Sequence, residues 1–181
     1  MLPYICLLVA LGLRFVSMPI SFTSVGAALL FFGARGSRQN LWIPVALSAM
    51  ADVLLTKFAY GYPVTWDHLV TWAWYAGVLG LGLLLRNTNS PVRIGGASLF
   101  SSIMFFIVSN FAVWASSYGT MYPRTLAGLG ECYTAGIPFF RHNVTLDLVF
   151  TAIFFSIPIL LRGTAGEQWL PASEEAKAPR H

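Results

Sequence analysis

Long apolar stretches separated by short polar breaks are the dominant pattern of this chain. A helix that crosses the hydrocarbon core of a bilayer needs about 20 mainly apolar residues. The pattern therefore predicts an all-α integral membrane protein, built as a bundle of about six transmembrane helices. The second helix is short for a span, so we expect it to be tilted, shielded by its neighbours or only partly inserted. The predicted helices cover residues 3–17, 23–34, 41–60, 66–85, 94–117 and 144–161.

The segment before the last predicted helix differs from an ordinary span. Residues 118–143 are interrupted by glycine and proline and place Arg124, Glu131 and Arg141 between apolar residues. Irregular backbone at membrane depth is tolerated where protein or water covers it, so the segment predicts an interfacial or re-entrant hairpin. One transmembrane domain would then extend to residue 162, and residues 163–181 would form a short polar, disordered cytoplasmic tail.

Composition supports the membrane assignment. Of the 181 residues, 56% are hydrophobic and 10% are charged, whereas a soluble domain carries about 25% charged residues. The first apolar stretch has no basic leader and no small-residue cleavage site, so we interpret it as a retained helix. Cys6 and Cys132 lie in different segments without metal-ligand spacing, which predicts neither a disulfide nor a zinc site.

Lysine and arginine are distributed unevenly between the predicted loops. The even-numbered loops and the tail hold Arg35, Arg38, Arg86, Arg93, Arg162, Lys177 and Arg180, and the other side holds Arg14, Lys57, Arg124 and Arg141. Cytoplasmic loops are enriched in these residue types, so the pattern predicts a multi-pass protein of the inner (plasma) membrane with both termini cytoplasmic. The lipid bilayer is thus the expected partner. The net charge of +4 follows from this pattern and does not indicate a nucleic-acid partner.

Ionisable residues inside predicted helices are candidates for a site, because a charge at membrane depth is costly unless it is paired or hydrated. Asp52, Lys57 and Asp147 are of this kind. The alternative is that each aspartate pairs structurally with an arginine or lysine, or remains hydrated near the interface between membrane and water.

Asn110 and Trp114 are four residues apart and therefore share one face of a helix. An amide and an aromatic ring on one face suit a small-molecule ligand. An interhelical hydrogen bond and a membrane-interface tryptophan explain the same two residues. His68 and His142 lack the spacing of metal ligands, so no metal site is predicted.

Small residues in the second helix allow another helix to approach closely. This face either docks a partner subunit or packs within the protein's own bundle. No motif for nucleotide binding, nucleophilic catalysis or zinc-dependent hydrolysis is present, so we expect neither an enzyme nor a cofactor. The small residues are Ser24, Gly26, Ala27 and Ala28.

A set of residues in the second half of the chain forms a recognisable signature: Ser109, Asn110, Phe111, Ala112, Val113, Trp114, Tyr122, Pro123, Arg124, Thr125, Gly128, Leu129, Cys132, Tyr133, Pro138, Phe139, Phe140 and Asp147. With these residues the chain resembles, over nearly its whole length, an uncharacterised bacterial family of small membrane proteins. That resemblance implies no activity.

The expected architecture also resembles the substrate-binding S component of energy-coupling-factor vitamin transporters. The resemblance implies that the small-residue face of an early helix docks on a transmembrane coupling subunit that works with ATPases. It also implies that loops near the outer surface cap a vitamin-like ligand. This is a similarity of architecture, which does not fix function.

The leading hypothesis is therefore an S-component-like, substrate-capture subunit for uptake of a small nutrient that is partly aromatic or anionic. Arg124 and Arg141 would hold a carboxylate, and Trp114 would stack on a ring. The rival hypotheses are a membrane scaffold or assembly factor, and a membrane enzyme that uses Glu131 or Asp147 as an acid or base. The expected ligand-binding residues are Asn110, Trp114, Tyr122, Arg124, Glu131, Tyr133, Arg141 and Asp147.

Overall fold

A computed structural model describes residues 1–16, 24–61, 63–116 and 121–167. Within these ranges every regular element is a helix, which confirms the all-α prediction. The predicted tail beyond residue 167 lies outside the described residues. The elements are α1 (Leu2–Val16), α2 (Val25–Arg35), a 3₁₀ turn (Arg38–Asn40), α3 (Trp42–Leu54), a π-helical turn (Leu55–Ala59), α4 (Asp67–Leu84), α5 (Pro91–Ser116) and α6 (Leu126–Glu167).

Among the described residues, three helical segments are long and apolar enough to cross a membrane, and three further apolar helices are shorter. Large apolar side chains such as Trp42, Val92 and Phe139 are exposed on the outside of the bundle, where lipid would cover them. The fold is thus compatible with a membrane protein. The three long segments are Arg38–Ala59, Pro91–Ser116 and Leu126–Leu161.

The prediction of a hairpin between the fifth and sixth helices is wrong for the described residues of that segment. α6 is one continuous helix of 42 residues that passes through Pro138 and Pro158. Two of the glycines that suggested a break serve close packing instead. A Cβ atom at Gly128 would collide with the carbonyl oxygen of Pro123, and one at Gly136 would collide with the side chain of Asn110. A helix also satisfies its own backbone hydrogen bonds, which an apolar environment requires.

α2 lies at the centre of the bundle. It has only eleven residues, and each residue from Val25 to Ala34 is buried. It packs against α1, α3, α4, α5 and α6. A helix that is apolar all round belongs in a core. We expected this short helix to be tilted, shielded by its neighbours or only partly inserted, and the structure shows that its neighbours shield it.

The small residues of α2 face the interior of the bundle, which corrects the partner-docking expectation for them. Ser24 and Ala28 have no exposed surface, Ala27 is 1% exposed, and Gly26 packs against Asp147. Their small size serves packing within the protein, the alternative that the sequence left open, and this face is not available to a partner.

Two arginines hold the ends of α2 and α4 together. Arg35 donates to the carbonyl oxygens of Arg86 and Thr88, each at 2.9 Å, and Arg86 donates to those of Gly33 at 3.0 Å and Gly36 at 2.6 Å. These arginines satisfy carbonyl groups that a helix leaves unpaired at its C-terminus. We call this end of the bundle the arginine end.

The other helices also reach the arginine end, in alternating directions. Tyr4 near the start of α1 accepts a hydrogen bond from Asn40, just before α3, at 2.9 Å. Asn89, just before α5, accepts one from Arg35 at 2.6 Å. The guanidinium of Arg35 lies 5.9 Å from the ring of Phe155, in the C-terminal half of α6. The six helices therefore form an antiparallel bundle, with the start of α1 and the C-terminal part of α6 at the same end.

Two glycines let α2 and α4 approach each other closely. The α-carbon of each lies 2.9 Å from where a Cβ atom on the other would be, so neither Gly33 nor Gly82 has room for a side chain. Gly80, on the same helix as Gly82, has open space around it.

Replacing Gly82 with alanine should therefore force α2 and α4 apart and lower the free energy of unfolding by about 1–3 kcal/mol, the usual effect of overpacking. Gly80→Ala is the matched control and should be neutral or slightly stabilising, because alanine favours a helix by about 1 kcal/mol relative to glycine. Thermal unfolding of the purified protein compares the two. Equal melting temperatures would show that α2 and α4 are not packed this closely.

Candidate functional site

Several buried polar groups lie at the same depth in the bundle. Each is 8 to 12 residues along its helix from a residue at the arginine end. At 1.5 Å per residue this is about 12–18 Å, or roughly half of a hydrocarbon core about 30 Å thick. We call these groups the polar layer: Arg14, Gly26 with the adjoining Ser24, Asp52, Tyr75, Ser102 and Asp147.

One part of the polar layer is an ion pair that joins three helices. Arg14 of α1 pairs with Asp52 of α3. The hydroxyl of Tyr75 on α4 donates to Asp52 Oδ1 at 3.0 Å and accepts from Arg14 at 3.2 Å. Asp52 is 3% exposed. Of the alternatives considered for this aspartate, the structure therefore shows structural pairing with an arginine. Lys57 is exposed in the π-helical turn, with its ammonium 5.9 Å from the Phe58 ring.

The second part of the polar layer is Asp147 on α6. It is 8% exposed, and its Oδ2 accepts a hydrogen bond from the Ser102 hydroxyl of α5 at 2.8 Å. Its Oδ1 has no hydrogen-bond partner among the described side chains. The carboxylate lies against the first turn of α2, where a Cβ atom at Gly26 would come within 2.9 Å of Oδ1. Glycine is therefore required at this position for Asp147 to approach the helix.

The N-terminus of α2 faces this carboxylate. Ser24, the residue before the helix, is fully buried, and its hydroxyl finds no hydrogen-bond partner among the described residues. The first backbone N–H groups of a helix are unpaired and carry a partial positive charge. α2 thus begins near mid-depth beside a buried carboxylate, and the backbone N–H of Ala27 in its first turn donates to Asp147.

Two neighbouring cavities meet at Asp147. The outer cavity has a volume of about 210 Å³ and lies between α5 and α6, and the inner cavity of about 90 Å³ lies between α1, α2, α4, α5 and α6. Phe105, Asn143 and Asp147 line both, so the two cavities adjoin. The outer cavity is also lined by Ser102, Phe106, Ser109, Asn110, Gly136, Phe139 and Phe140, and the inner one by Arg14, Val25, Gly26, Thr71, Trp74 and Tyr75.

A family model described as a family of unknown function (DUF6580) matches residues 1–169. The chain belongs to this family. The match confirms the resemblance to an uncharacterised family over nearly the whole chain. No curated protein and no solved structure matches the chain significantly.

Two of the eight expected ligand-binding residues line the cavities of this DUF6580 protein. Asp147 lies where the cavities meet, and Asn110 lines the outer cavity, where its amide nitrogen donates to the Phe106 carbonyl at 2.8 Å. The other six do not line either cavity: Trp114, Tyr122, Arg124, Glu131, Tyr133 and Arg141.

Some of these six residues join α5 to the N-terminal part of α6. Trp114 donates to the carbonyl oxygen of Pro123 at 2.9 Å, Arg124 to that of Ala115 at 3.2 Å, and Tyr133 to that of Ile107 at 2.8 Å.

The expected pair of ligand-binding arginines does not form. Arg124 precedes α6, and Arg141 is 15 residues beyond its first residue, Leu126, which places the two about 22 Å or more apart along the helix. Both are exposed. A continuous helix keeps residues so far apart along its axis from contacting one small ligand, so the prediction that these arginines converge is wrong.

Several residues of the site were not predicted from the sequence. Arg14 was counted among the loop charges but pairs at depth with Asp52, and Tyr75, Ser102 and Asn143 were not among the predicted site residues. One signal was present: Ser98, Ser101 and Ser102 form a buried polar stripe on α5. Among the described residues, no three His, Cys, Asp or Glu side chains cluster as a metal site needs.

The Arg14–Asp52 pair generates a stability prediction. Arg14→Leu leaves the Asp52 carboxylate buried without its partner, and we expect a loss of about 3–5 kcal/mol in the free energy of unfolding. The double variant Arg14→Leu/Asp52→Leu removes both charges and should recover most of that loss. Thermal unfolding measures each variant, with Arg93→Leu, an exposed site, as control.

Two results would contradict this pairing. One is an Arg14→Leu variant as stable as the Arg93→Leu control. The other is a double variant in which the losses of the two single variants simply add, because residues that interact do not behave independently.

Proposed function

We propose that this DUF6580 protein is a substrate-capture subunit of a membrane transport system, similar to an S component, which binds a small nutrient-like molecule in the two adjoining cavities. The observation that carries the proposal is a pair of cavities meeting at a buried carboxylate near mid-depth, next to the start of a half-length helix. Energy for uptake would come from a partner ATPase complex, because the chain has no nucleotide-binding motif.

The state of Asp147 supports a binding role over a purely structural one. An ionisable group at membrane depth is expensive and is usually retained for function unless a partner neutralises it. Asp52 has such a partner in Arg14. Within the described part of the chain Asp147 forms no ion pair, and one of its oxygens points to no side-chain donor.

The position of the α2 N-terminus supports the same role. Transporters commonly bind substrates near the bilayer midplane, at helices that begin there and direct their unpaired N–H groups toward the site. α2 begins about 14 Å from the arginine end, counted from Arg35 back to Gly26. The unpaired Ser24 hydroxyl beside it adds a further polar group that a ligand could satisfy.

The form of the outer cavity suits a small molecule that enters from the side opposite the arginine end. Asn110 lies 19 residues beyond Pro91, or about 28 Å from the arginine end, so the cavity extends from the polar layer toward that opposite side. Its walls combine phenylalanine rings with amide, hydroxyl and carboxyl groups, the mixture typical of ligand pockets. A scaffold would need no such cavity.

The orientation in the membrane belongs to the same proposal. All six helices cross or enter a bacterial inner membrane, the arginine end is cytoplasmic, and so are both termini. Arg35 and Arg86 lie at this end with Arg38 and Arg93 close by in sequence, and arginine-rich loops favour the cytoplasmic side. The coupling subunit would contact a face other than α2, which is enclosed.

Filling the outer cavity tests the proposal. Ser109 lines this cavity, so Ser109→Phe should remove a small molecule that the wild-type protein retains through gentle purification, as measured by native mass spectrometry. Thr145→Phe is the matched control, since Thr145 is exposed on α6, and should retain the molecule. A wild-type protein that carries no small molecule, or a Ser109→Phe variant that still carries it, would overturn the capture function.

Cysteine labelling tests the orientation. Ser37 lies in the loop after α2 and Thr125 just before α6, and both are exposed, whereas the native cysteines Cys6 and Cys132 are buried. A membrane-impermeant maleimide added to intact cells should label Thr125→Cys and not Ser37→Cys. Labelling of Ser37→Cys alone would place the arginine end outside.

A further inference from the structure

We infer that the ligand is a small organic cation, a protonated amine on an aromatic or apolar body, with its ammonium group at Asp147. The inference rests on the proposed capture function and names its substrate class. It replaces the anionic alternative that the sequence suggested, because the arginines on which that alternative depended lie outside the cavities.

The charge balance of the cavity walls favours a cation. Two carboxyl groups and one guanidinium group belong to the polar layer, those of Asp52, Asp147 and Arg14. Arg14 and Asp52 neutralise each other, which leaves Asp147 as the acidic group whose charge no described lining residue of the cavities neutralises. The α2 N-terminus supplies a partial positive charge of only about half a unit, so it compensates this charge in part.

The hydrogen bonds at Asp147 leave a defined place for a donor. Ser102 occupies Oδ2, and Oδ1 accepts from no described side chain. The residue is 8% exposed, so bulk water does not solvate Oδ1 freely. An ammonium group would both donate to Oδ1 and supply the missing positive charge, and charge-assisted hydrogen bonds of this type are the strong ones.

An anion would lack these partners. Arg14, the cationic side chain that lines the inner cavity, is already bound to Asp52 and Tyr75. A carboxylate ligand in either cavity would lie near the negative charge of Asp147 without an uncommitted arginine or lysine among the described lining residues. Like charges in such a site repel each other strongly.

Aromatic rings line the two cavities that meet at Asp147. Phe105 lines both cavities and lies 4.4 Å from Trp74, measured between ring centroids, and Phe106 lies 4.6 Å from Phe140. Faces of aromatic rings attract cations and also pack against an aromatic ligand body. The amides of Asn110 and Asn143 complete a wall that accepts or donates hydrogen bonds.

Three probes of similar size and different charge test the inference: 2-phenylethylamine, 3-phenylpropionate and 2-phenylethanol. Affinity is measured by ligand-dependent thermal unfolding of the full-length protein in detergent. We expect the ammonium probe to raise the melting temperature and the carboxylate and alcohol probes to leave it unchanged. Asp147→Asn should weaken binding of the ammonium probe about 30-fold or more, the usual effect of removing one partner of a buried charge pair.

Glu131→Gln is the matched control, because Glu131 is an exposed carboxylate on the same helix. It removes the same charge but should bind the ammonium probe like the wild type. Stabilisation by the carboxylate probe instead, stabilisation by none of the probes, or equal binding of the ammonium probe by Asp147→Asn would overturn the inference.

The retained molecule itself gives a second measurement that needs no variant. Accurate mass and fragmentation of the molecule released from wild-type protein should show a basic nitrogen. A retained acid or neutral compound that Ser109→Phe loses would overturn the cationic ligand and leave the capture function standing. Absence of any retained molecule would instead overturn the capture function.

Discussion

Polar groups in an apolar medium must find partners, and the centre of this bundle is organised by that requirement. α2 is enclosed on all sides and begins near mid-depth, so its first N–H groups and the Ser24 hydroxyl lie where lipid cannot satisfy them. Asp147 comes from α6 to meet that helix end, and Gly26 lets it approach. The Arg14–Asp52–Tyr75 group meets the same requirement, and Arg14 and Tyr75 line the same inner cavity as Asp147. The polar layer is therefore a set of buried groups that supply one another's partners.

The remaining features of the fold hold α2 in place. Arg35 and Arg86 satisfy carbonyl groups where α2 and α4 end, and the contact of Gly33 with Gly82 lets these helices pack at backbone distance. α5 and α6 are joined by the hydrogen bond between Ser102 and Asp147, and the outer cavity adjoins that contact. Residues of α5 and α6 line the outer cavity, so the packing of these two helices also fixes the shape of that cavity.

Hydropathy alone could predict six helices, because short polar breaks separate the apolar stretches along the chain. It could also single out Asp147 as an ionisable residue at depth. It could not predict what glycine does within a helix: at Gly128 and Gly136 the same residue type that suggests a break allows the close approach of a neighbour. Hydropathy also could not predict which buried charges pair with each other. Arg14 and Asp52 are 38 positions apart in the sequence, and only tertiary packing brings them together.

The most direct test of the site is an experimental structure of the protein in a lipid nanodisc, determined from protein purified gently enough to keep what it carries. Our account predicts density for a small molecule where the two cavities meet, in contact with the Asp147 carboxylate and Asn143, while Asp52 remains paired with Arg14. A structure in which protein side chains fill both cavities and a lysine or arginine of the chain pairs with Asp147 would contradict it.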